Sequence, residues 1–346
     1  MNTISNISNQ PNILLVGAAT RLGQAILKRL VETNWSGKIV VYDNKTGRNM
    51  SLFDKYREHI TTYYGNISQD ADNLTSALKE IDFVIDLHHF PRAKAFKKLQ
   101  LAEEINVDGT QNLVTAIEKV DNNPLLLYVS SDSVYGDRLS APMISVTDPV
   151  GPSLGDYDAI TRIQAEKVIR GTSTEWIIYR PGLTLYPGNS LGGAELFRTP
   201  LSTRLEMIYY EDLVSAILNA YEQRNSLWNH TYNVGGGEEC RIIYGDFLKR
   251  YFAILGMDQV EIPSHCFAER NSIGGYFADS DELNNILKFR KHTLEQFFEE
   301  MKKSRTLIKK VGSKLFGSIR GKNLFSQSEP LKAYKTGEKK KMKYFF

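Results

Sequence analysis

Apolar residues in this chain fall into short blocks, and between the blocks they recur every three or four positions. Ile13 to Val16 is the first block and reads as a strand buried on both faces. Gly17 follows, and Leu22, Ile26, Leu27 and Leu30 then trace one face of a helix. A second block, Lys38 to Tyr42, ends in Asp43, and a polar loop runs on to Met50. Ile60 to Tyr64 is the third strand, followed by Gly65-Asn66-Ile67, and Leu74, Leu78 and Ile81 give another helical face. Asp82 to Leu87 is the fourth and ends in His88-His89-Phe90. A helix bearing Asn106, Gly109, Leu113, Ala116 and Ile117 leads to a fifth strand beginning at Leu125. Short strands alternating with helices predict an α/β fold, a doubly wound parallel sheet with right-handed crossovers.

The order strand, glycine turn, helix, strand, acid has a chemical meaning. It points backbone N–H groups and a positive helix end at a pyrophosphate. The expected contacts are Gly17, Thr20, Arg21, Leu22 and Gly23. Asp43 lies about 20 residues beyond the last glycine, where a carboxylate accepts from ribose hydroxyls. The alternative is an ordinary strand–helix turn that binds no nucleotide. Thr20 stands where the middle glycine of a GxxGxxG pattern would be, and its hydroxyl offers a hydrogen bond to a phosphate oxygen.

Composition narrows the setting. A chain of 346 residues can bury one or two large cores, and its 24% charged content is that of an ordinary soluble protein. The net charge of +3 says little until it is located. Cys240 and Cys266 are the two cysteines; neither belongs to a CxxC, so a reducing, cytoplasmic setting is expected. Residues 1–11 read as a polar, disordered leader without the features of a secretory signal. No apolar run reaches membrane-spanning length.

The stretches VGAATRLG, VVYD, GNIS, NVDGTQNL, LLYVSSDSVYG, AITRIQAEKVI, WIIYRPG, YYEDLVSAI, YNVGGGE and LKFRKHTLEQFFEEM occur in one order over roughly residues 12 to 303. That order resembles the extended short-chain dehydrogenase/reductase superfamily, the NAD-dependent epimerase/dehydratase group. The resemblance implies a Rossmann domain over 12–180. It also implies a mixed segment over 181–303 that completes the sheet and forms a small substrate lobe. Asp43 then favours NAD over NADP, because a 2′-phosphate would be repelled. Asn66 and Ile67 would lie beside the adenine, and Pro181 beside the nicotinamide. His88 falls among the cofactor residues, where the family has small side chains; three bulky residues are expected to crowd the dinucleotide. The histidine pair has no acidic or cysteine partner at metal-ligand spacing, so stacked or solvent-facing imidazoles are expected and no metal. Pairing into homodimers through two helices is implied by the resemblance alone.

The catalytic pattern is broken. Members that move hydride use a Ser or Thr, a Tyr as acid–base and a Lys that lowers the tyrosine pKa. The hydroxyl maps onto Ser131. If Tyr157 is the tyrosine, Thr161 holds the lysine position; if Glu166-Lys167 sets the register, Asp158 replaces Tyr and Arg162 replaces Lys. Tyr157 and Arg162 diverge by roughly 140° around a helix. An unassisted phenol has a pKa of about 10, and arginine cannot shuttle a proton. Two functions remain open: an NAD-dependent oxidoreductase or epimerase with an atypical centre at Ser131, Tyr157, Asp158 and Arg162, acting on an unidentified small molecule, or a non-catalytic dinucleotide-binding or scaffold protein. Between Gly188 and Glu211 the chain is short, and Arg198 and Arg204 read as surface cations, which argues against a nucleotide-sugar substrate.

From residue 304 to 346 a basic amphipathic or disordered tail is expected. Leu307, Val311, Leu315 and Ile319 form a stripe between cations over 305–322, and the last ten residues add lysines and aromatics. The stripe favours a peripheral anionic membrane surface over nucleic acid, since phosphate binding needs only charge. A helix packed on the body with a solvated face is the plainer alternative.

Overall fold

The structure, a computed structural model, describes residues 10–95, 98–187, 193–257, 261–308 and 323–346. Seven strands form the main sheet: β1 (Ile13–Val16), β2 (Ile39–Asp43), β3 (Thr61–Tyr64), β4 (Phe83–Asp86), β5 (Leu125–Val129), β6 (Trp176–Pro181) and β7 (His230–Val234). Their order across the sheet is β7-β6-β5-β4-β1-β2-β3. The ladders β1–β2, β1–β4, β2–β3, β4–β5 and β5–β6 are parallel. The order reverses between β1 and β4, the switch point where such sheets open a crevice beyond their carboxyl ends.

Burial explains the register. Every residue of β1 and β4 is buried, as strands covered on both faces require. Leu14, Val16, Val40, Val84, Leu126 and Ile178 pack against Leu74, Leu78, Leu113, Ile117 and Ile169 in one core. A one-residue slip of β1 would exchange this set for Ile13 and Leu15, which belong to the opposite face.

The chain divides into two compact units that interleave along the sequence. The first comprises Met1–Ser130, Thr161–Tyr179 and Val214–Thr231; the second comprises Ser131–Ile160, Arg180–Leu213 and Tyr232–Phe346. The second has its own aromatic core, in which Phe197, Phe247, Tyr251, Phe297 and Phe298 are almost wholly buried. Glu206 is buried there and fully engaged. It accepts from Arg241 Nε at 2.8 Å, Ser280 Oγ at 2.6 Å and the N–H groups of Phe277 and Gly237.

Both chain ends differ from expectation where they are described. Residues 1–9 of the expected leader lie outside the described residues, but Pro11 is buried and its carbonyl accepts from Trp35 Nε1 at 2.9 Å. Of the expected tail, the segment 309–322 lies outside the described residues. The remainder is ordered: Glu329–Thr336 and Lys339–Phe345 are helices, and Leu331, Ala333 and Phe345 are buried. Glu269 N donates to Phe345 O, Ser328 Oγ donates to Cys266 O, and Arg198 pairs with Glu329. Arg198 is therefore a tied side chain, not a surface cation. No helix among the described residues is long and apolar enough to cross a membrane.

Candidate functional site

The glycine turn in the first unit is built by close approach. Gly17 has a φ of +77°, and a Cβ on it would stand 2.9 Å from His88 N. A Cβ on Gly23 would stand 2.6 Å from Ala18 Cα, so the first turn of α1 (Arg21–Glu32) lies directly on the loop. Only glycine serves at these two places. Thr20 is the N-cap of α1. Its Oγ1 accepts from Gly23 N at 3.1 Å and donates to Gly17 O at 2.8 Å. The hydroxyl expected to donate to a phosphate is thus spent on the turn itself. Arg21 and Leu22 open the helix, where N–H groups lack intrahelical acceptors.

Asp43, at the end of β2, closes the turn. Its Oδ2 accepts from Ala19 N at 2.8 Å; its Oδ1 accepts from Asn44 N at 2.7 Å and Asn49 Nδ2 at 3.0 Å. A carboxylate offers about four acceptor positions, so three donors leave room for one more. Burial raises its pKa above the usual carboxylate value, against the opposing pull of the Ala19 and Asn44 N–H groups and of His88. Asn66 spends its carbonyl oxygen on Ser68 N and Ser68 Oγ, which leaves donation through Nδ2 for recognition. Ile67 lies 2.8 Å from where a Gly109 Cβ would be.

The loop after β4 corrects an expectation. His88 does not crowd the turn with its ring, because the side chain folds inward and is buried, as is Phe90, while His89 is exposed. His88 Nδ1 lies 2.5 Å from Asp86 Oδ1, and Nε2 lies 3.1 Å from Ile105 O. The two imidazoles are neither stacked nor both facing solvent. The acidic partner missing from the motif reading is Asp86, two residues earlier on the same strand face. Both acceptors are satisfied only if Nε2 carries a proton and a second proton lies between Nδ1 and Oδ1. Asp86 Oδ2 is buried and has no hydrogen-bond partner among the described residues. Among those residues no three His, Cys, Asp or Glu side chains are grouped as metal ligands.

Ile105 belongs to a π-turn, Glu104–Asp108, set in the helical run that continues as α2 (Gly109–Ile117). Such turns leave carbonyls out of the regular ladder. The π-turn also carries Asn106, which is buried, accepts from Phe90 N at 2.6 Å and donates to Thr161 Oγ1 at 2.8 Å. Thr161 lies on α3 (Tyr157–Arg170) and is fully buried. On the same helix Asp158, Arg162 and Glu166 are spaced i, i+4 and i+8, and so share a stripe. Arg162 Nη1 donates to Val129 O at 3.3 Å, and Glu166 accepts from Ser130 Oγ at 2.7 Å. The stripe beginning at Asp158, not the one beginning at Tyr157, therefore meets the end of β5. Asp158 is 3% exposed and Arg162 7%; Tyr157 is half-buried.

In the second unit Ser131 caps a short 3₁₀ turn, accepting from Ser133 N at 3.1 Å and donating to Asp132 Oδ1 at 3.2 Å. Pro181 ends β6 and is buried. Beside it a buried chain of donors was not foreseen. Arg180 Nη1 donates to Tyr135 OH at 2.8 Å, Tyr135 OH to Asn233 Oδ1 at 2.7 Å, and Asn233 Nδ2 to Asp279 Oδ1 at 2.8 Å. A tyrosine touching a cation suggests an activated phenol. Burial outweighs Arg180 here and pushes the Tyr135 pKa up to about 12, so it stays protonated.

The model of the 3-beta hydroxysteroid dehydrogenase/isomerase family matches residues 14–186. No curated protein matches the sequence. Among solved structures, the UDP-glucuronic acid 4-epimerase of Bacillus cereus, in complex with UDP-glucuronic acid and NAD, is 17% identical. It covers 86% of this chain and 99% of its own, with a TM-score of 0.70. The dTDP-glucose 4,6-dehydratase DesIV of Streptomyces venezuelae, with NAD bound, is 17% identical over 84% of this chain and 96% of its own, TM-score 0.70. A putative epimerase of Burkholderia cenocepacia is 18% identical over 85% and 97%, TM-score 0.69. At these identities the likeness bears on the fold.

Proposed function

This chain belongs to the 3-beta hydroxysteroid dehydrogenase/isomerase family, within the extended short-chain dehydrogenase/reductase superfamily, and from that premise we propose that it is an NAD-binding oxidoreductase or epimerase with an altered acid–base centre. Its substrate carries a hydroxyl or carbonyl on a small or lipid-like body. The observation that carries the reading is the Asp43 carboxylate tied to Ala19 N across the glycine turn, with an acceptor position to spare. Gly17, Gly23 and the first turn of α1 would hold the pyrophosphate, Asp43 the adenosine ribose, and Asn66 and Ile67 the adenine. NAD, when bound, supplies the hydride acceptor or donor. A ribose 2′-phosphate would meet the Asp43 charge, which supports NAD over NADP.

Asp158 and Arg162 take the places of the tyrosine and lysine. Arginine fixes charge and cannot exchange its proton. Asp158 can accept a proton as base, and donates one only if burial keeps it protonated. Ser131 offers a hydroxyl to orient a substrate oxygen. The engagement of Arg198 with Glu329 speaks against a diphosphate clamp. A second reading, a dinucleotide-binding protein without catalysis, is favoured by Arg162 being bonded to Val129 O and by the cap that occupies Ser131.

Thermal melting with NAD tests the cofactor. NAD should raise Tm by linkage, NADP less. Asp43→Ala should weaken NAD by about tenfold or more, the worth of a charged hydrogen bond. A neutral carboxyl is the poorer acceptor, so affinity should fall as pH drops through the Asp43 pKa. Because that pKa is raised, the loss should begin at a higher pH than an ordinary aspartate would give. No shift with either dinucleotide would overturn the reading. Hydride transfer by the unaltered protein would support the enzyme. A silent wild type alongside an active Asp158→Tyr, Arg162→Lys variant would support the second reading.

A further inference from the structure

Beside Asp43, one strand further along the sheet, stands a turn with an uneven supply of hydrogen-bonding groups. β3 pairs with β2 so that Tyr64 lies next to Asp43, and Gly65 N donates to Asp43 O at 3.1 Å. Residues Asn66 to Gln69 then turn tightly, with Gln69 N donating to Asn66 O at 2.9 Å. A purine is one glycosidic bond from its ribose. A ribose held by Asp43 therefore brings its base toward Asn66 and Ile67, where the dinucleotide reading seats the adenine.

The acceptors of these two residues are spent. Asn66 O takes the N–H groups of Gln69 and Asp70, both at 2.9 Å, and Ile67 O takes Asn112 Nδ2 at 3.1 Å. Asn66 Oδ1 accepts from Ser68 N at 3.2 Å and has Ser68 Oγ at its flank, 3.0 Å away. That hydroxyl also reaches Glu104 Oε1 at 3.0 Å; whichever oxygen takes its one hydrogen, the flank of Oδ1 stays filled. The carboxamide cannot turn over, because Nδ2 would then face Ser68 N, donor against donor. Asn66 N is itself bonded, to Asp70 Oδ2. What remains are two donors, Asn66 Nδ2 and Ile67 N, neither of which has a hydrogen bond among the described residues.

Resting on the dinucleotide reading, we propose that Asn66 makes this site indifferent to the amine at C6 of the purine, so that it takes a 6-oxopurine dinucleotide at least as well as NAD. Adenine presents an amine donor at C6 between two acceptors, N7 and N1. A 6-oxopurine presents acceptors at C6 and N7 and a hydrogen on N1. Set against two donors, the N7 edge of a 6-oxopurine satisfies both, and that of adenine satisfies one. On the N1 edge each base satisfies one. Adenine therefore leads on neither edge. A carboxylate at position 66 would reverse the order, since its outer oxygen would accept from the amine and repel an oxygen at C6.

Calorimetric titration of the full chain with NAD and with nicotinamide hypoxanthine dinucleotide tests this. The unaltered protein should bind the two within about threefold of each other, or the hypoxanthine form more tightly, since no acceptor of Asn66 or Ile67 is left to read the amine. Asn66→Asp keeps one oxygen for Ser68 N and presents the other in place of Nδ2, so the variant should prefer NAD by about tenfold or more. The ratio is taken between two ligands on one protein, so a change in stability cancels from it. A wild type that favours NAD by more than about threefold, or a variant whose ratio matches the wild type, would overturn the proposal and leave the dinucleotide site standing. Binding of neither dinucleotide by the wild type would overturn the dinucleotide reading, and this proposal with it.

Discussion

An aspartate–histidine pair stands in each compact unit, Asp86–His88 in the first and Asp212–His292 in the second, and the two are finished differently. In the second unit Asp212 Oδ1 lies 2.7 Å from His292 Nδ1, and Oδ2 accepts from the N–H groups of Lys291 and His292, both at 3.0 Å. The ring of His292 stacks on Tyr209 at 4.3 Å, is 24% exposed, and faces Glu211 with Nε2 at 3.7 Å. Every oxygen of that aspartate has a donor, and the imidazole keeps access to water. In the first unit Asp86 is fully buried, one of its oxygens has no donor among the described residues, and His88 is clamped between two acceptors. The Asp212–His292 pair is a completed latch that holds a chain turn. The Asp86–His88 pair is incomplete and depends on an extra proton, and incomplete buried polar groups belong to working sites more than to scaffolds.

Removing the carboxylates separates the two. Asp86→Ala leaves His88 buried with one acceptor and should cost about 3–5 kcal/mol, read as a lower urea midpoint. A loss under about 1 kcal/mol would show that the pair is not coupled and would erase the contrast. Asp212→Ala strips acceptors from two backbone N–H groups and an imidazole that water can reach, so about 2 kcal/mol is expected. Asp86→Asn keeps the shape and withdraws the charge. With the amide oxygen in the Oδ1 place the neutral ring serves that oxygen or Ile105 O but not both, and with the amide nitrogen there His88 N loses its acceptor, so one bond is lost either way, at about 1 kcal/mol, with faster amide exchange around His88 and the π-turn. Unchanged exchange there would place the second proton elsewhere.

The sequence made the nucleotide half legible because its signals are local. Ile13–Val16, Gly17, Gly23 and Asp43 are each fixed by neighbours within a turn or a strand, and the sheet follows from strands too short and too apolar to be anything else. Asp86–His88 was legible in principle. An acid inside an apolar strand needs a partner, and residues i and i+2 share a face. The adjacent His88-His89 doublet masks that spacing. Asn106–Thr161 was beyond reach, since it joins residues 55 apart and depends on a π-turn that no periodicity announces. Thr20 carries two demands that a sequence does not rank: an N-cap and a phosphate donor ask for the same hydroxyl, and the helix is always present. At the C-terminal end, lysine density masked Leu331, Ala333 and Phe345, which are too few to make a stripe yet enough to seat two helices.

The π-turn makes segment length as consequential as side-chain identity. It accommodates one residue more than a regular turn of helix, so deleting a single position within Glu104–Asp108 would let the backbone rewind. Side chains beyond the deletion would keep their places, because the bulge alone takes up the surplus residue. Gly109, whose missing side chain makes space for Ile67 and the His88 ring, would hold that place, and the change would fall on the Ile105 carbonyl that faces His88 Nε2. The loop after β4 is thus fitted to the bulge and not to the helix as a whole, and a chain without the surplus residue would have to find His88 Nε2 another acceptor.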